Sequence, residues 1–411
     1  MVGTLSDETI EQTVDNEIRA QYAGMEEEAA KNSLLPAILW RNSVDTAKIF
    51  CVNGDYLADI SAVGILDAMM GETYDYDIYP VINAQNLVIA DLPAFVSENE
   101  EEMQKRYSQS AQAVYQEIVW PSLTSIASRT GAKMTCMMTP QFTYTDEEEP
   151  DGENVTYYLK RLKEEHAEAG LSADSMEGIP LSEKIKQDQT FWQTYAPSYR
   201  FLSLYADGVK SIGEKSALPA EIRTVALGSG ASGQAVGYLN ENVTLQPSTS
   251  SGIRHTFLDD FKVKCMETAL GYSNITLDFY SVTYPEGDED SWEKMSKKIA
   301  ANLGTYWKAY EAFDATTLTE SDVRIRRFLA LDYKQQRAGN VITLSLEHRE
   351  DAAWFLLRLH GEKVTEVAGG IFEEIEDGVY LILAEEDEVS VEVQTGETWQ
   401  YQDGGKRGDG T

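Results

Sequence analysis

The sequence predicts an α/β protein: a (β/α)7-8 barrel followed by a small C-terminal β-sandwich. Short β-branched runs alternate with longer helical patterns as far as about residue 320, the signature of βα units and a largely parallel sheet. From about Arg324 the pattern turns strand-like without long helices, and turn signals such as Ala338-Gly339-Asn340 and Glu376-Asp377-Gly378 separate the runs. At 411 residues the chain also exceeds one typical domain of ~100–200 residues. The expected division is an N-terminal helical segment at 1–36, the barrel at 37–322, the sandwich at 323–402 and a disordered tail at 403–411.

In chain order the expected barrel strands are 47–52, 77–83, 133–139, 169–172, 201–206, 223–228 and 243–246, with 276–283 as a possible eighth. Helical patterns fall near 60–70, 98–128, 155–167, 182–195, 258–270 and 291–313. The sandwich strands are expected at 326–332, 341–346, 352–359, 378–384 and 388–394. Parallel barrels carry their functional groups in the loops at the C-terminal strand ends. Those loops would begin at Asn53, Asn83, Thr139, Ser172, Asp207, Ser229, Pro247 and Tyr284.

Charge narrows the partners. With 34 basic against 69 acidic residues, the formal net charge of −35 repels a phosphate backbone or an anionic membrane surface, so nucleic acid is not an expected partner. A cationic or neutral polymer fits, as does a merely solubilising surface. The 22 Tyr and 7 Trp supply the flat side chains that line sugar sites. Cys51, Cys136 and Cys265 each sit in an apolar segment, and their spacing matches neither a zinc motif nor a disulfide framework. No 18-residue apolar run occurs and residues 1–31 lack a signal-peptide pattern, so the chain reads as soluble, with any signal or anchor outside it.

The run 47–52 ends in Asn53-Gly54-Asp55-Tyr56-Leu57, which would bring a carboxylate to the barrel mouth. Asp55 could there hold a divalent metal, act as a general base, or cap the helix beginning near Ile60. Histidine is scarce, with only His166, His255, His348 and His360. His255 lies beside Asp259 and Asp260, where an acid/base or a metal ligand would be useful; alternatively the Asp pair caps a helix. His166 reads as solvent-facing, and His348 and His360 as structural. Asp75, Tyr76, Asp77, Tyr79, Asn83, Gln85 and Asn86 form a polar, aromatic group around the second strand, suited to stacking on a sugar or to packing. Gly228-Ser229-Gly230-Ala231-Ser232-Gly233 lacks the strand and helix context of a dinucleotide fingerprint.

Several blocks together resemble a bacterial family related to the deacetylase domain of the Pel exopolysaccharide system. They are Asn53-Gly54-Asp55-Tyr56-Leu57, Asp77-Ile78-Tyr79-Pro80-Val81-Ile82-Asn83-Ala84-Gln85-Asn86-Leu87, Trp120-Pro121-Ser122-Leu123, Met137-Met138-Thr139-Pro140-Gln141-Phe142 and His255-Thr256-Phe257-Leu258-Asp259-Asp260. The resemblance implies a barrel of polysaccharide-deacetylase type, working outside a bacterial cell or at its surface on N-acetylated amino-sugar polysaccharide, alongside other exopolysaccharide synthesis and secretion components. It also implies a divalent metal, zinc by expectation, held by one Asp and two His, whose bound water attacks the amide. Asp55 then matches the first-strand carboxylate and His255 the late histidine, with Asp259 and Asp260 beside it. Asn53, Tyr79, Asn83, Gln85, Asn86 and Gln141 become candidate substrate-binding residues. The histidine pair expected after the fourth strand is replaced by Leu171-Ser172-Ala173-Asp174-Ser175, which leaves Asp174 or His166 as a substitute metal ligand.

Three functions follow as alternatives. The first is metal-assisted hydrolysis of acetamide groups on an exopolysaccharide, using Asp55 and His255. The second is a catalytically degenerate barrel, without cofactor, that binds polysaccharide or scaffolds its secretion. The third is a glycoside hydrolase built on paired carboxylates.

Overall fold

The computed structural model describes residues 3–4, 37–44, 47–144, 149–174, 179–208, 218–228 and 235–395. The helical segment expected at 1–36, the tail at 403–411 and the glycine-rich 229–234 fall outside these residues, apart from 3–4. The chain divides into two units, one of Met1–Glu72 with Val81–Leu329, the other of Thr73–Pro80 with Ala330–Thr411.

The first unit opens with a three-stranded antiparallel sheet of β1 (Gly3–Thr4), β2 (Ala37–Val44) and β3 (Ala47–Val52). Helix α1 (Ser61–Gly71) follows. Its Gly64 permits a close helix crossing, since a Cβ there would lie 2.4 Å from the Cα of Cys265 on α5 (Phe257–Leu270). The main sheet is parallel, running β9 (Thr224–Leu227), β8 (Ser203–Ala206), β7 (Glu168–Ser172), β6 (Met134–Met138), β5 (Ala84–Ala90) and β13 (Tyr272–Asp278). On the far side of β9 lies β11 (Val243–Pro247), edged by antiparallel β10 (Gly237–Asn240). β12 (Ser250–Ser251) pairs with β13, and the short β14 (Ala315–Thr316) pairs with β5. The sheet curls so far that one segment, 243–251, pairs with β9 at its start and with β13 at its end. Between them the Ser248 N–H donates to the Leu227 carbonyl at 2.9 Å and the Thr249 N–H to that of Asn274 at 2.8 Å.

Strands buried on both faces need continuous apolar runs. Leu87, Val88, Ile89 and Ala90 in β5 and Met134, Cys136, Met137 and Met138 in β6 are all buried. Helices α2 (Trp120–Thr130), α3 (Val155–Glu164), α4 (Leu181–Tyr195) and α6 (Trp292–Ala309) supply aromatic rings to the same core, among them Trp120, Tyr158, Phe191 and Trp292.

Several expected elements move. The run 47–52 is β3 of the small antiparallel sheet and not the first parallel strand, its residues being exposed at the start and half-buried at the end. That half-exposure suits a hairpin with one wet face. The run 77–83 divides, because β4 (Tyr76–Val81) joins the second unit's sheet, and Asn83 turns the chain at φ +56° before β5 begins. The first strand of the parallel sheet is therefore β5, ending just before Asp91. The strand expected at 326–332 is mostly helix: α7 (Leu318–Ala330) buries Leu318, Ser321, Asp322 and Ile325, a spacing of one helix face. The division consequently falls after Leu329 rather than at 322.

The second unit pairs two four-stranded sheets. One runs β15 (Asp332–Ala338), β16 (Val341–Glu347), β21 (Glu388–Thr395), β18 (Glu362–Ala368). The other runs β19 (Gly370–Glu376), β20 (Val379–Ala384), β17 (Ala353–Leu359), β4. Alternate residues of both, such as Ile342, Leu344, Phe355, Leu357, Ile382 and Val391, share one apolar cluster, as in a β-sandwich.

Candidate functional site

Carboxylates gather at the C-terminal ends of the parallel strands. Asp91 follows β5, Ser172 ends β7 with Asp174 two residues on, Asp207 follows β8, and Asp278 ends β13. An apolar strand that stops abruptly at an acidic residue places the carboxylate where the strand leaves the core.

Asp91 is 2% exposed. Its Oδ1 accepts the Ser172 hydroxyl at 2.6 Å, and the Ser172 Oγ in turn accepts the backbone N–H of Asp174 at 3.2 Å. The Asp174 Oδ1 accepts the backbone N–H of Asp207 at 3.3 Å. Burial holds the Asp91 carboxyl well above the usual carboxylate range, repulsion from Asp174 and Asp278 adds to this, and the Ser172 hydroxyl and the Lys184 ammonium oppose it. Asp174 is pushed up to about 7, again first by burial and then by Asp207 and Asp278, against the Asp207 N–H and Lys184. Asp278 is raised too, by its protein surroundings and by Asp207, with the Tyr280 N–H and Arg254 opposing. Close carboxylates oppose one another's ionisation, which adds to burial in favouring the protonated forms of Asp91, Asp174 and Asp278.

Gly228, after β9, keeps this mouth open. A Cβ there would meet the Asp207 Oδ1 and the Tyr205 hydroxyl, each at 2.7 Å. On the β6 side stands a buried ammonium: Lys184 of α4 donates to Thr139 Oγ1 at 3.1 Å, Tyr144 OH at 2.7 Å and Asp188 Oδ2 at 3.0 Å. On the β13 side stands an aromatic wall. Tyr280 and Tyr284 stack with centroids 5.0 Å apart, and Phe142 meets Tyr280 edge-on at 5.2 Å. Glu98 clamps this wall by accepting the N–H groups of Phe142 and Thr143 and the Tyr284 hydroxyl. The Tyr280 N–H donates to Asp278 Oδ1 at 2.9 Å, tying wall to carboxylate.

The residues expected to form the site scatter. Asp55 and Asn53 are exposed in the loop after β3, outside the parallel sheet. His255 follows β12 with Nδ1 3.0 Å from Ser250 Oγ; burial lowers its pKa, and the charges acting on it are Asp259 and Asp260. Asp259 accepts the N–H and hydroxyl of Thr256 in the capping box of α5, and Asp260 pairs with Lys264 at 3.0 Å, so both serve the helix start. His166 is exposed at the end of α3.

Tyr79 lies in the second unit, its ring 5.5 Å from the Arg358 guanidinium. Asn83, Gln85 and Asn86 are buried near the start of β5, the opposite end from Asp91. There Asn83 exchanges hydrogen bonds with Asp314, Gln85 donates to Glu267, and Asn86 donates to Gln246 and Ser321. Gln141 lies in the loop after β6, where its carbonyl accepts the Thr139 hydroxyl. Of the expected metal ligands, Asp174 lies in the carboxylate group. Asp91, Ser172, Lys184, Asp207 and Asp278 were not among the expected site residues. For Asp91 the signal is an apolar run that stops at an acidic residue, Leu87-Val88-Ile89-Ala90-Asp91; Lys184, inside the polar helix pattern Leu181-Ser182-Glu183-Lys184, carries no such signal.

A family described as "Uncharacterised protein conserved in bacteria (DUF2194)" matches residues 11–177. No curated protein matches significantly. Similar solved structures include a protein described as a polysaccharide deacetylase from Mycobacterium smegmatis, at 8% identity and TM-score 0.37, covering 59% of this chain and 90% of that one. The Bc1960 peptidoglycan N-acetylglucosamine deacetylase superposes at 13% identity and TM-score 0.29, covering 58% and 87%. The endo-β1,6-glucanase BT3312 does so at 9% identity and TM-score 0.33, covering 82% and 90%. At such scores no residue or role transfers.

Proposed function

We propose that the first unit is a carbohydrate de-N-acetylase-like module, its curled sheet closed into a (β/α) barrel, with Asp91 and Asp174 as the reacting pair. The carrying observation is the Asp91–Ser172–Asp174 chain of hydrogen bonds at the strand ends, in surroundings that raise both carboxyls. Amide hydrolysis needs a base for water and an acid for the leaving nitrogen. Two carboxylates holding one proton offer both. The ionised member takes a proton from water, whose oxygen attacks the acetyl carbon. The protonated member gives its proton to the nitrogen as the C–N bond breaks, and acetate and a free amine leave. Tyr280 and Tyr284 offer an aromatic face for a sugar ring beside Asp278.

The substrate class is an N-acetylated amino-sugar polysaccharide of Pel type, met outside a bacterial cell alongside the components that make and export it. A net charge of −35 suits a polymer that gains positive charge as acetyl groups leave. Zinc does not fit this reading. Catalytic zinc takes three protein ligands, commonly imidazoles, whereas the strand ends offer oxygens and Asp91 Oδ1 is already engaged by Ser172. Among the described residues no group of three or more His, Cys, Asp or Glu is placed to hold an ion.

Acetate release from N-acetylated amino-sugar oligomers by the full chain tests the reading. Release by the wild type and its loss in Asp91→Asn support it. Binding of the same oligomers without release from any of them would leave a non-catalytic polysaccharide-binding module, which the replacement of the expected histidine pair by Ser172-Ala173-Asp174 favours as the second reading.

A further inference from the structure

We propose that Lys184 is a built-in cation for the carboxylate site, a positioning residue whose buried ammonium does for Asp91 and Asp174 what a divalent ion would otherwise do. The inference rests on the site assigned above but not on its chemistry.

Lys184 is 0% exposed. An ammonium taken out of water costs several kcal/mol unless it is paired and hydrogen-bonded. Here each of its three protons has an acceptor: Thr139 Oγ1, Tyr144 OH and Asp188 Oδ2. The Tyr144 ring lies 5.1 Å from Nζ as well. A lysine on a helix ordinarily leans out to water, as Lys186 does on the same helix α4. This one is instead drawn to the end of β6, the strand between Asp91 on β5 and Ser172 on β7.

Thr139 fixes the direction of that charge. Its N–H donates to the Pro93 carbonyl at 3.2 Å, beside Asp91, and its hydroxyl proton goes to the Gln141 carbonyl, so the oxygen faces Lys184 as acceptor. Asp188 lies one helical turn further along α4 and receives the Tyr144 hydroxyl at 2.7 Å in addition to Lys184. The ion pair thus has its positive end at the strand end. Lys184 is also among the charges that favour the ionised forms of Asp91 and Asp174.

The test is calorimetric titration of the full chain with Mn2+, a cation that accepts all-oxygen sites. Removing one fixed positive charge from a carboxylate group should raise its cation affinity by about tenfold or more. Wild type and Lys184→Arg should bind weakly and alike, Lys184→Met should gain that factor, and adding Asp91→Asn should abolish the gain. Because Lys184→Met takes the ammonium away from the buried Asp188, Lys184→Met with Asp188→Asn provides a second variant with both charges gone. Either variant, shown folded by circular dichroism, carries the test. Tight Mn2+ binding by the wild type, or a gain that survives Asp91→Asn, overturns the proposal. Acetate release is a separate measurement: its absence with the cation pattern intact sinks the deacetylase reading and leaves the role of Lys184 standing.

Discussion

Ser172 donates its hydroxyl to Asp91 at 2.6 Å across the intervening strand β6, so two residues 81 positions apart share one buried hydrogen bond at the mouth of the sheet. The bond favours the ionised form, against a burial that holds this carboxyl well above the usual carboxylate range.

Ser172→Ala tests that relationship. Losing the donor leaves a buried carboxylate oxygen unsatisfied, at a cost of about 1–3 kcal/mol. Calorimetry should show the first unit unfolding several degrees lower, because about 1 kcal/mol shifts Tm by roughly 2–4 °C at this domain size. Acetate release should fall as well, since the Asp91 carboxyl loses the hydrogen bond that fixes its direction. An unchanged Tm together with an unchanged rate would make the hydrogen bond incidental.

Asp174 sets the pH profile. With its carboxyl pushed up to about 7, it is mostly protonated below that pH and mostly ionised above it. Acetate release should therefore decline on the acid side as Asp174, the base of the pair, is protonated, and on the alkaline side as Asp91, whose carboxyl burial holds well above the usual range, loses its proton. Asp174→Asn should lower the rate by about 10²-fold or more and remove the acid limb. A rate undiminished down to about pH 5 would exclude Asp174 as the base.

At the other end of β5 a different carboxyl governs stability. Glu267 on α5 is 1% exposed, accepts the Gln85 amide at 2.9 Å, and is pushed up to about 8 by burial against an ordinary value of 4.5. The folded state then holds a proton that the unfolded chain releases. The stabilisation is fully present below about pH 4.5 and is lost as pH rises through about 8. Urea unfolding at pH 5 and pH 8 should show the wild type weakening with pH by more than Glu267→Gln, which carries no titrating proton. Equal pH slopes in the two proteins would place the Glu267 carboxyl in its ionised form.

How much was legible divides along physical lines. Alternation of short apolar runs with helices predicted a parallel sheet, and seven of its strands fall within or beside the expected runs when β5 replaces β3. What failed was the start. Residues 49–52 and 87–90 are both apolar, and only pairing distinguishes a hairpin strand from a buried parallel one; β3 has β2 beside it, 37–44, and β5 has β6 and β13. The excursion of Tyr76–Val81 into the second unit leaves no local trace, because a strand looks alike in either sheet. Helix α7 was legible but misread, since Leu318, Ser321, Asp322 and Ile325 keep a helical spacing through polar residues. The placement of Asp55 follows from the strand order. With β3 read as the first parallel strand, Asp55 is expected at the mouth of the sheet, where the structure has Asp91; Asp174 lies there as well.

That exchange gives the most discriminating comparison. Asp55 is exposed in a loop after an antiparallel strand, and its carbonyl accepts the Ala58 N–H at 2.8 Å in a local turn. Asp91 is buried at the end of the first parallel strand and bonded to Ser172. Replacing either by Asn keeps side-chain size and removes one negative charge, so the two variants differ only in where that charge sits. Asp55→Asn should leave Tm within about 2 °C and acetate release within about twofold of wild type, because surface substitutions usually change stability by about 0.5 kcal/mol or less. Asp91→Asn should abolish release, since an amide cannot give a proton to the leaving nitrogen as the Asp91 carboxyl would. It should not unfold the protein, because the Asn carbonyl oxygen still accepts the Ser172 hydroxyl and the burial cost of a charge is relieved. Release lost in Asp55→Asn and retained in Asp91→Asn would return the reacting centre to the loop after β3 and remove the carboxylate group from the mechanism.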